Sequence, residues 1–262
     1  MSWVAAVAPG GTAQVFHPFD KLPPRGAMRR GTVLLECSLS PVAAARSILR
    51  IPLQAHAAGH LSILALPQGS FALVVGQGKS MVHRTLRLNL PEGNQLLRLS
   101  FSWDCEAGLA RFAVEQADGQ GFVTGALDLP EPMALESLTA FPAMEACAPE
   151  EAALGFLAIS NRVEPVGPLP GLAARTFVGT PFGPREVSRL RIGDLVQTRD
   201  GGQEPVLHVA QRIVPGLGSF APIRLRAPYF GLERDIVVAP HQKIFVSGAA
   251  VDYTFGCEGA LV

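Results

Sequence analysis

The chain has 262 residues, of which 48% are hydrophobic and 17% charged. This composition supplies ample apolar material for a buried core and excludes intrinsic disorder as the global state. Lys plus Arg and Asp plus Glu number 22 each, so the formal net charge at pH 7 is zero. We therefore expect no partner held by bulk electrostatics, which argues against nucleic acid and an anionic membrane surface. The apolar runs, such as 71–75, are too short for membrane insertion.

The N-terminal residues lack a basic flank followed by a sustained apolar stretch, so they do not have the pattern of a secretory signal. The sequence leaves the location of the protein open. Secretion by a signal-independent route and association with a particle are the two hypotheses that fit it.

Metal and cofactor binding are not expected from the sequence. The four cysteines show no Cys-x-x-Cys spacing, which argues against a zinc site, and they are too sparse for a disulfide scaffold. His56 and His60 have the spacing of metal ligands on one helical face, but strand-like runs surround them, so we interpret them as loop or sheet-edge histidines. The sequence therefore predicts no metal site and no cofactor.

The dominant pattern along the chain alternates apolar and polar residues with period two, which is typical of strands. Residues 97–103 and 110–116 alternate in this way, and turn-forming residues at 104–108 join them, so they predict a β-hairpin. Many short runs punctuated by 27 glycines and 22 prolines favour an all-β fold, and for the first half an antiparallel sandwich or barrel. Similar runs lie at 32–39, 61–66, 71–75, 81–90 and 154–160.

A domain boundary is predicted at 161–171, where the sequence NRVEPVGPLPG contains three prolines and two glycines. Such a composition is typical of a semi-rigid linker. We therefore expect a first domain at 1–160, a linker at 161–171 and a second domain at 172–262. The second domain also reads as short strands with glycine turns, so it too is predicted to be nearly all β.

The second domain carries a set of motifs that resembles the opening of a Hint module, the Hedgehog/intein autoprocessing fold, in its bacterial branch. The resemblance covers about residues 170–262 and implies an all-β module. The matching residues are Thr180-Pro181, Gly183-Pro184-Arg185, Val187, Leu190-Arg191, Gly193-Asp194-Leu195-Val196, Thr198, Asp200-Gly201-Gly202, Pro205-Val206, 222–227 and 234–238.

The resemblance also implies where catalytic residues would lie. The family uses a Cys or Ser that attacks the preceding carbonyl, and a hydroxyl and a histidine that assist it. The nucleophile position falls on Gly171, the hydroxyl position on Ala239 and the histidine position on Gln242. His241 is one residue early, and on a strand that step would point it to the opposite face. We therefore predict a degenerate, shortened and non-catalytic domain rather than an enzyme.

The first domain more weakly resembles the lectin-like jelly-roll sandwiches that often precede Hint modules, which implies a jelly-roll sandwich here. A ligand site at one end of that sandwich would use Trp103 and Asp104, joined by Asn94 and Glu106. The competing interpretation is that Trp103, on an alternating strand, belongs to the core.

The leading hypothesis is a non-enzymatic structural or binding protein that serves in surface attachment or in a larger secreted or phage-like assembly. Its expected partners are other protein subunits, as an oligomer or assembly component, or a surface glycan. One alternative is an active self-processing protein in which Thr176 or Thr180 attacks, with His208 or His241 as the base. The other is a carbohydrate-binding module on the first domain.

Overall fold

The computed structural model describes residues 2–8, 14–15, 26–53, 59–128, 131–134, 137–138, 152–257 and 259–261. The chain divides into two compact units, Met1–Pro168 and Leu169–Val262. Antiparallel strands dominate both units, which confirms the predicted all-β class. None of the helices among these described residues has the length and apolar character needed to cross a membrane.

The first unit is a sandwich of two antiparallel sheets. One sheet has seven strands in the order β11-β10-β9-β4-β13-β1-β2, the other has four in the order β5-β6-β7-β8, and β12 pairs with β3. The strands are β1 (Trp3–Val7), β2 (Gln14–Val15), β3 (Ala27–Met28), β4 (Arg30–Leu39), β5 (Arg46–Leu53), β6 (Gly59–Leu66), β7 (Ser70–Gln77), β8 (Ser80–Arg87), β9 (Gln95–Asp104), β10 (Leu109–Gln116), β11 (Phe122–Ala126), β12 (Met133–Ala134) and β13 (Ala152–Ser160).

The core of the sandwich lies between the inward faces of the two sheets. Because side chains alternate across a strand, every second residue of β9 from Leu97 to Trp103 points inward and is 0% exposed. Phe71 and Leu73 of β7 belong to the same apolar cluster. Each such side chain contributes about 1.5–3 kcal/mol through burial. The predicted hairpin is confirmed, since β9 and β10 pair from Asp104 opposite Leu109 onward.

Residues 161–168, which we call the outer strap, differ from the predicted linker because they are packed along the sandwich. They cross the outward face of the seven-stranded sheet, opposite the core. The hydroxyl of Thr32 donates to the carbonyl of Arg162 at 2.7 Å and accepts from the backbone N–H of Glu164 at 3.0 Å. Glu164 is buried. The strap therefore begins as part of the first unit.

The strap continues across the sheet to β10. Arg111 donates from Nη2 to the carbonyl of Glu164 at 2.8 Å, and the N–H of Gly167 donates to Oε2 of Glu115 at 2.6 Å. Beneath it lies the buried ion pair of Arg98 Nε with Glu115 Oε1, at 2.8 Å. Polar side chains and backbone thus cover this face, where composition alone suggests an open linker.

The second unit is built from two-stranded antiparallel ladders and short helical turns. The predicted hairpin at Asp200-Gly201-Gly202 is present, with Gly202 at φ +75° as such a turn requires. The elements are β14 (Phe177–Val178), β15 (Arg185–Glu186), β16 (Leu195–Thr198), β17 (Gly202–Pro205), β18 (Ile223–Leu225), β19 (Ile236–Val238), β20 (Phe245–Ser247), α1 (Ala249–Phe255), β21 (Gly259–Leu261), and 3-10 turns at Val187–Arg189, Gly218–Phe220 and Tyr229–Gly231.

Candidate functional site

The segment at Gly171 lies against the end of β19. The N–H of Ala239 donates to the carbonyl of Gly171 at 2.9 Å, and the N–H of Ala173 donates to the carbonyl of Val237 at 2.8 Å. Between these bonds, Leu172 forms an antiparallel bridge with Val238. The prediction that the nucleophile position and the hydroxyl position of the Hint pattern meet in space is therefore confirmed.

The residues at the two meeting positions offer backbone but little side chain. Gly171 has no side chain, and Ala239 has only a methyl group. A Cβ atom added at Gly171 would meet no other atom within 4 Å, and its φ lies outside the left-handed region. The fold therefore does not require glycine at this position, and a larger side chain has room there.

The stretch from Ala239 to Gln242 is a turn, in which the N–H of Gln242 donates to the carbonyl of Ala239 at 2.9 Å. The expectation that His241 points away because a strand alternates is wrong in its premise, since no strand runs through these residues. His241 is half-buried, and its Nε2 atom is shielded from solvent. The side-chain amide of Gln242 donates to the carbonyl of Lys243 at 2.8 Å.

Two threonine hydroxyls near the site are engaged with the backbone. Thr176 is buried, and its Oγ1 donates to the carbonyl of Val237 at 3.1 Å, which fastens the Gly171 segment to β19. Oγ1 of Thr180 donates to the carbonyl of Gly183 at 2.6 Å and accepts from the N–H of Phe182 at 3.2 Å. Both hydroxyls therefore stabilise local structure.

The Gly-Asp pair of the Hint pattern has a clear structural task. Gly193 takes φ +92°, which favours glycine, and Oδ2 of Asp194 accepts hydrogen bonds from the Arg191 N–H and the Arg185 guanidinium, both at 2.9 Å. The bond from the Arg191 N–H, helped by the charge of Arg185, holds the pKa of Asp194 below its ordinary value. The sequence pattern indicated the turn but not its ionic partner.

The predicted stacking platform on the first unit is wrong. Trp103 is 0% exposed, stacks on Phe101 with 5.5 Å between ring centroids, and donates from its indole N–H to the carbonyl of Met28 at 3.0 Å. A ring with no exposed area cannot stack on a ligand. The core interpretation of Trp103 is the correct one.

The other three residues predicted for that site do not converge. Asp104 accepts from the N–H groups of Glu106 and Ala107, both at 3.0 Å, so its carboxylate shapes the β9–β10 turn. Glu106 lies 3.5 Å from Arg29 in an exposed ion pair. Asn94 precedes β9 at its opposite end, about 30 Å away along a ten-residue strand. Among the residues described, no cluster of three His, Cys, Asp or Glu side chains has the arrangement of a metal site.

Comparison with known proteins confirms the resemblance drawn from the motifs. Residues 170–262 match the family model of the Hint domain. We refer to them below as the Hint region. No curated protein is similar enough in sequence to count as a relative of this chain.

Three solved structures illustrate the likeness of folds. The Ruminococcus gnavus IT-sialidase CBM40 bound to α2,6 sialyllactose is 10% identical over 63% of this chain and 90% of that chain, with a TM-score of 0.35. The LG1-3 region of the laminin α2 chain is 12% identical over 61% of this chain and 25% of its own, with a TM-score of 0.33. A Scytalido-glutamic peptidase with a peptide-based transition-state analogue is 9% identical over 91% of this chain and 97% of its own, with a TM-score of 0.27. Likenesses this weak carry no argument about function.

Proposed function

We propose that the Hint region does not cleave the chain and that the protein is a structural or binding protein, working as a component of a larger assembly. The observation that carries the proposal is the backbone hydrogen bond between Ala239 and Gly171. It brings together the two segments that the family's chemistry requires, at positions where this sequence has no reactive side chain.

The chemistry of self-cleavage needs groups that these residues lack. Attack on the carbonyl of Pro170 requires a thiol or hydroxyl on the next residue, and glycine has neither. The methyl group of Ala239 cannot donate a hydrogen bond to a developing oxyanion, a contact commonly worth about 3 kcal/mol. The amide of Gln242 does not titrate and cannot act as a general acid toward the leaving nitrogen.

The alternative nucleophiles receive little support. Attack by Thr176 or Thr180 would require each hydroxyl to give up its bond to the carbonyl of Val237 or Gly183. His208, one of the two candidate bases, is exposed in an irregular segment. These contacts favour a structural role for both threonines.

A role in an assembly is supported by large apolar side chains on the surface of the second unit. Exposed apolar groups of this size commonly mark protein–protein contacts. Those with the greatest exposure are Phe182 and Tyr253 at 94%, Leu207 at 81% and Ile192 at 69%.

The test of inactivity is to incubate the full-length protein with dithiothreitol or hydroxylamine and to weigh the products. We expect a single intact species of 27.7 kDa. Clean scission between Pro170 and Gly171 would overturn the proposal. Thr180→Ala and His241→Ala variants serve as controls, because cleavage of the parent that either one abolishes would establish the alternative mechanism.

The assembly role has a separate test. Sedimentation velocity of the parent, measured over a range of concentrations, should show species larger than the monomer. A Phe182→Ser, Tyr253→Ser variant should shift them toward the monomer. A parent that remains monomeric at every concentration would contradict self-assembly through this surface.

A further inference from the structure

We propose that the outward face of the four-stranded sheet, β5 to β8, binds an acidic polysaccharide, meaning a chain of sugars that carries carboxylate or sulfate groups. This inference goes beyond the proposed inactivity of the Hint region and does not depend on it. It starts from an uneven distribution of charge that a net charge of zero conceals.

The four-stranded sheet is the acid-free part of the sandwich. Residues 46–87, which span all four strands, contain five Arg or Lys residues and no Asp or Glu. The compensating acidic residues all lie elsewhere in the chain. A surface that carries one sign of charge attracts oppositely charged ligands even when the whole protein is neutral.

Strand register places the basic side chains on one face. Arg50 lies opposite Ser62, Ser62 opposite Val74, and Val74 opposite His83, which forms one row across the sheet. The neighbouring row contains His60 opposite Gly76. Residues one position away along β6 and β7 are buried in the core, so these rows face outward.

The face has a low centre and basic edges. Ser62 and Gly76 lie on the two central strands, with the His60 ring over Gly76, since Nδ1 is 3.7 Å from where a Cβ would stand. Arg50 lies on one edge strand, and His83 lies on the other, with Arg87 four residues further on. Three strand spacings separate the two edges, about 14 Å.

The basic side chains on the edges are available to a ligand. Arg50, His83 and Arg87 are exposed. Within the part of the chain that the structure describes, neither of these arginines forms an ion pair. Guanidinium groups bind carboxylate and sulfate well, because their planar donors match two acceptor oxygens at once.

The character of the floor favours an acidic polysaccharide over a nucleic acid. Phe71, the single aromatic residue of 46–87, is 1% exposed and belongs to the core. The face therefore offers no ring on which bases could stack, and stacking dominates the binding of single-stranded nucleic acids. Charges spread over a shallow strip suit a narrow polymer with repeated anionic groups rather than a single small ion.

The experiment uses the full-length protein and measures its affinity for polygalacturonate and dextran sulfate by calorimetry. Neutral dextran and poly(dT) are the comparison polymers. The test variant is Arg50→Gln, Arg87→Gln. The matched control is Arg224→Gln, Arg226→Gln, which makes the same change of charge at two exposed arginines of the second unit.

We expect at least one of the two acidic polysaccharides to bind, with an affinity that falls as salt is raised. The test variant should bind it at least about tenfold more weakly, which corresponds to losing one charge-assisted contact. The control should bind within about twofold of the parent, less than the effect of one such contact. Because the changed side chains are exposed, unchanged thermal unfolding should show that both variants are folded.

Three results would overturn the inference. The parent could bind neither acidic polysaccharide. The two double variants could lose affinity equally, which would show an effect of net charge alone. The parent could bind poly(dT) as tightly as the polysaccharide, which would assign the face to nucleic acid. None of these results depends on whether the Hint region cleaves the chain.

Discussion

The N–H of Gly167 donates a hydrogen bond of 2.6 Å to Oε2 of Glu115, while Oε1 of the same carboxylate lies 2.8 Å from Nε of Arg98. One carboxylate thus fastens the outer strap to the sheet and neutralises a guanidinium whose side chain is 0% exposed. Charges removed from water need such partners, because the cost of burying them alone is several kcal/mol.

Replacing Glu115 should therefore destabilise the sandwich. We expect Glu115→Gln to lower the free energy of unfolding by about 2–3 kcal/mol, slightly less than a fully broken buried pair, because Glu36 lies opposite Arg98 in the sheet. The measurement is urea unfolding followed by tryptophan fluorescence, which reports on the first unit alone since both tryptophans, Trp3 and Trp103, lie there.

The control for this prediction is Glu106→Gln, which removes a carboxylate from an exposed ion pair with Arg29. Exposed pairs contribute little, so this change should cost at most about 0.5 kcal/mol. Equal losses in the two variants would show that the buried position of Glu115 is unimportant.

Restoring the family's reactive groups should restore some cleavage. In a Gly171→Cys, Ala239→Thr, Gln242→His variant, the thiolate of residue 171 would attack the carbonyl carbon of Pro170, the peptide C–N bond would break, and the nitrogen would leave protonated. Added dithiothreitol would then release fragments 1–170 and 171–262. Mass spectrometry should detect them slowly but clearly, because the site has room for the new side chain.

The single variant Gly171→Cys is the matched control for this reactivation. It has the nucleophile but neither the hydroxyl donor nor the histidine, so its cleavage should be at least about a hundredfold slower. Equally fast cleavage in the single and triple variants would show that positions 239 and 242 take no part in the reaction.

The stability of the second unit should depend on acid through Asp194. Its pKa is held below the ordinary value of 3.8 by the Arg191 N–H and the Arg185 guanidinium. The unfolded chain therefore binds the proton more readily, so the contribution of Asp194 is fully present above the unfolded pKa and is lost as pH falls through the folded pKa. Asp194→Asn should lower Tm at neutral pH, and its difference from the parent should shrink at acid pH.

The thermal scans for this prediction should include Asp200→Asn, which changes an exposed carboxylate in the neighbouring hairpin turn. This variant should track the parent at every pH. A Tm difference for Asp194→Asn that stayed constant down to the acid end would show that ionisation of Asp194 does not contribute.

The cysteines should differ sharply in reactivity. Burial raises the pKa of the Cys37 thiol to about 12, and the nearby Glu36 carboxylate adds to the shift, so almost no reactive thiolate forms. Cys257 is exposed. Iodoacetamide should therefore label Cys257 in the folded protein and Cys37 only after urea is added, as peptide mass spectrometry would show. Labelling of both at similar rates would contradict the burial of Cys37.

Local patterns in the sequence determined most of the strands. The alternation around Leu97 and Phe112 predicted the β9–β10 hairpin, because which face of a strand is apolar depends only on neighbouring residues. The Asp200-Gly201-Gly202 turn was predictable for the same reason, since a turn depends on a few consecutive dihedral angles. The motif spacing also predicted that Gly171 and Ala239 meet.

The tertiary structure decided the features that depend on residues far apart in the chain. Proline and glycine at 161–168 indicated a linker, yet donors and acceptors on Thr32, Arg111 and Glu115 fasten this segment to the sheet. The alternation around Trp103 fixed its strand but not which sheet face is inward, and packing against the second sheet buried it. The positive face of β5 to β8 likewise arises only when strand register aligns Arg50 with His83, because a charge count does not record which side chains share a surface.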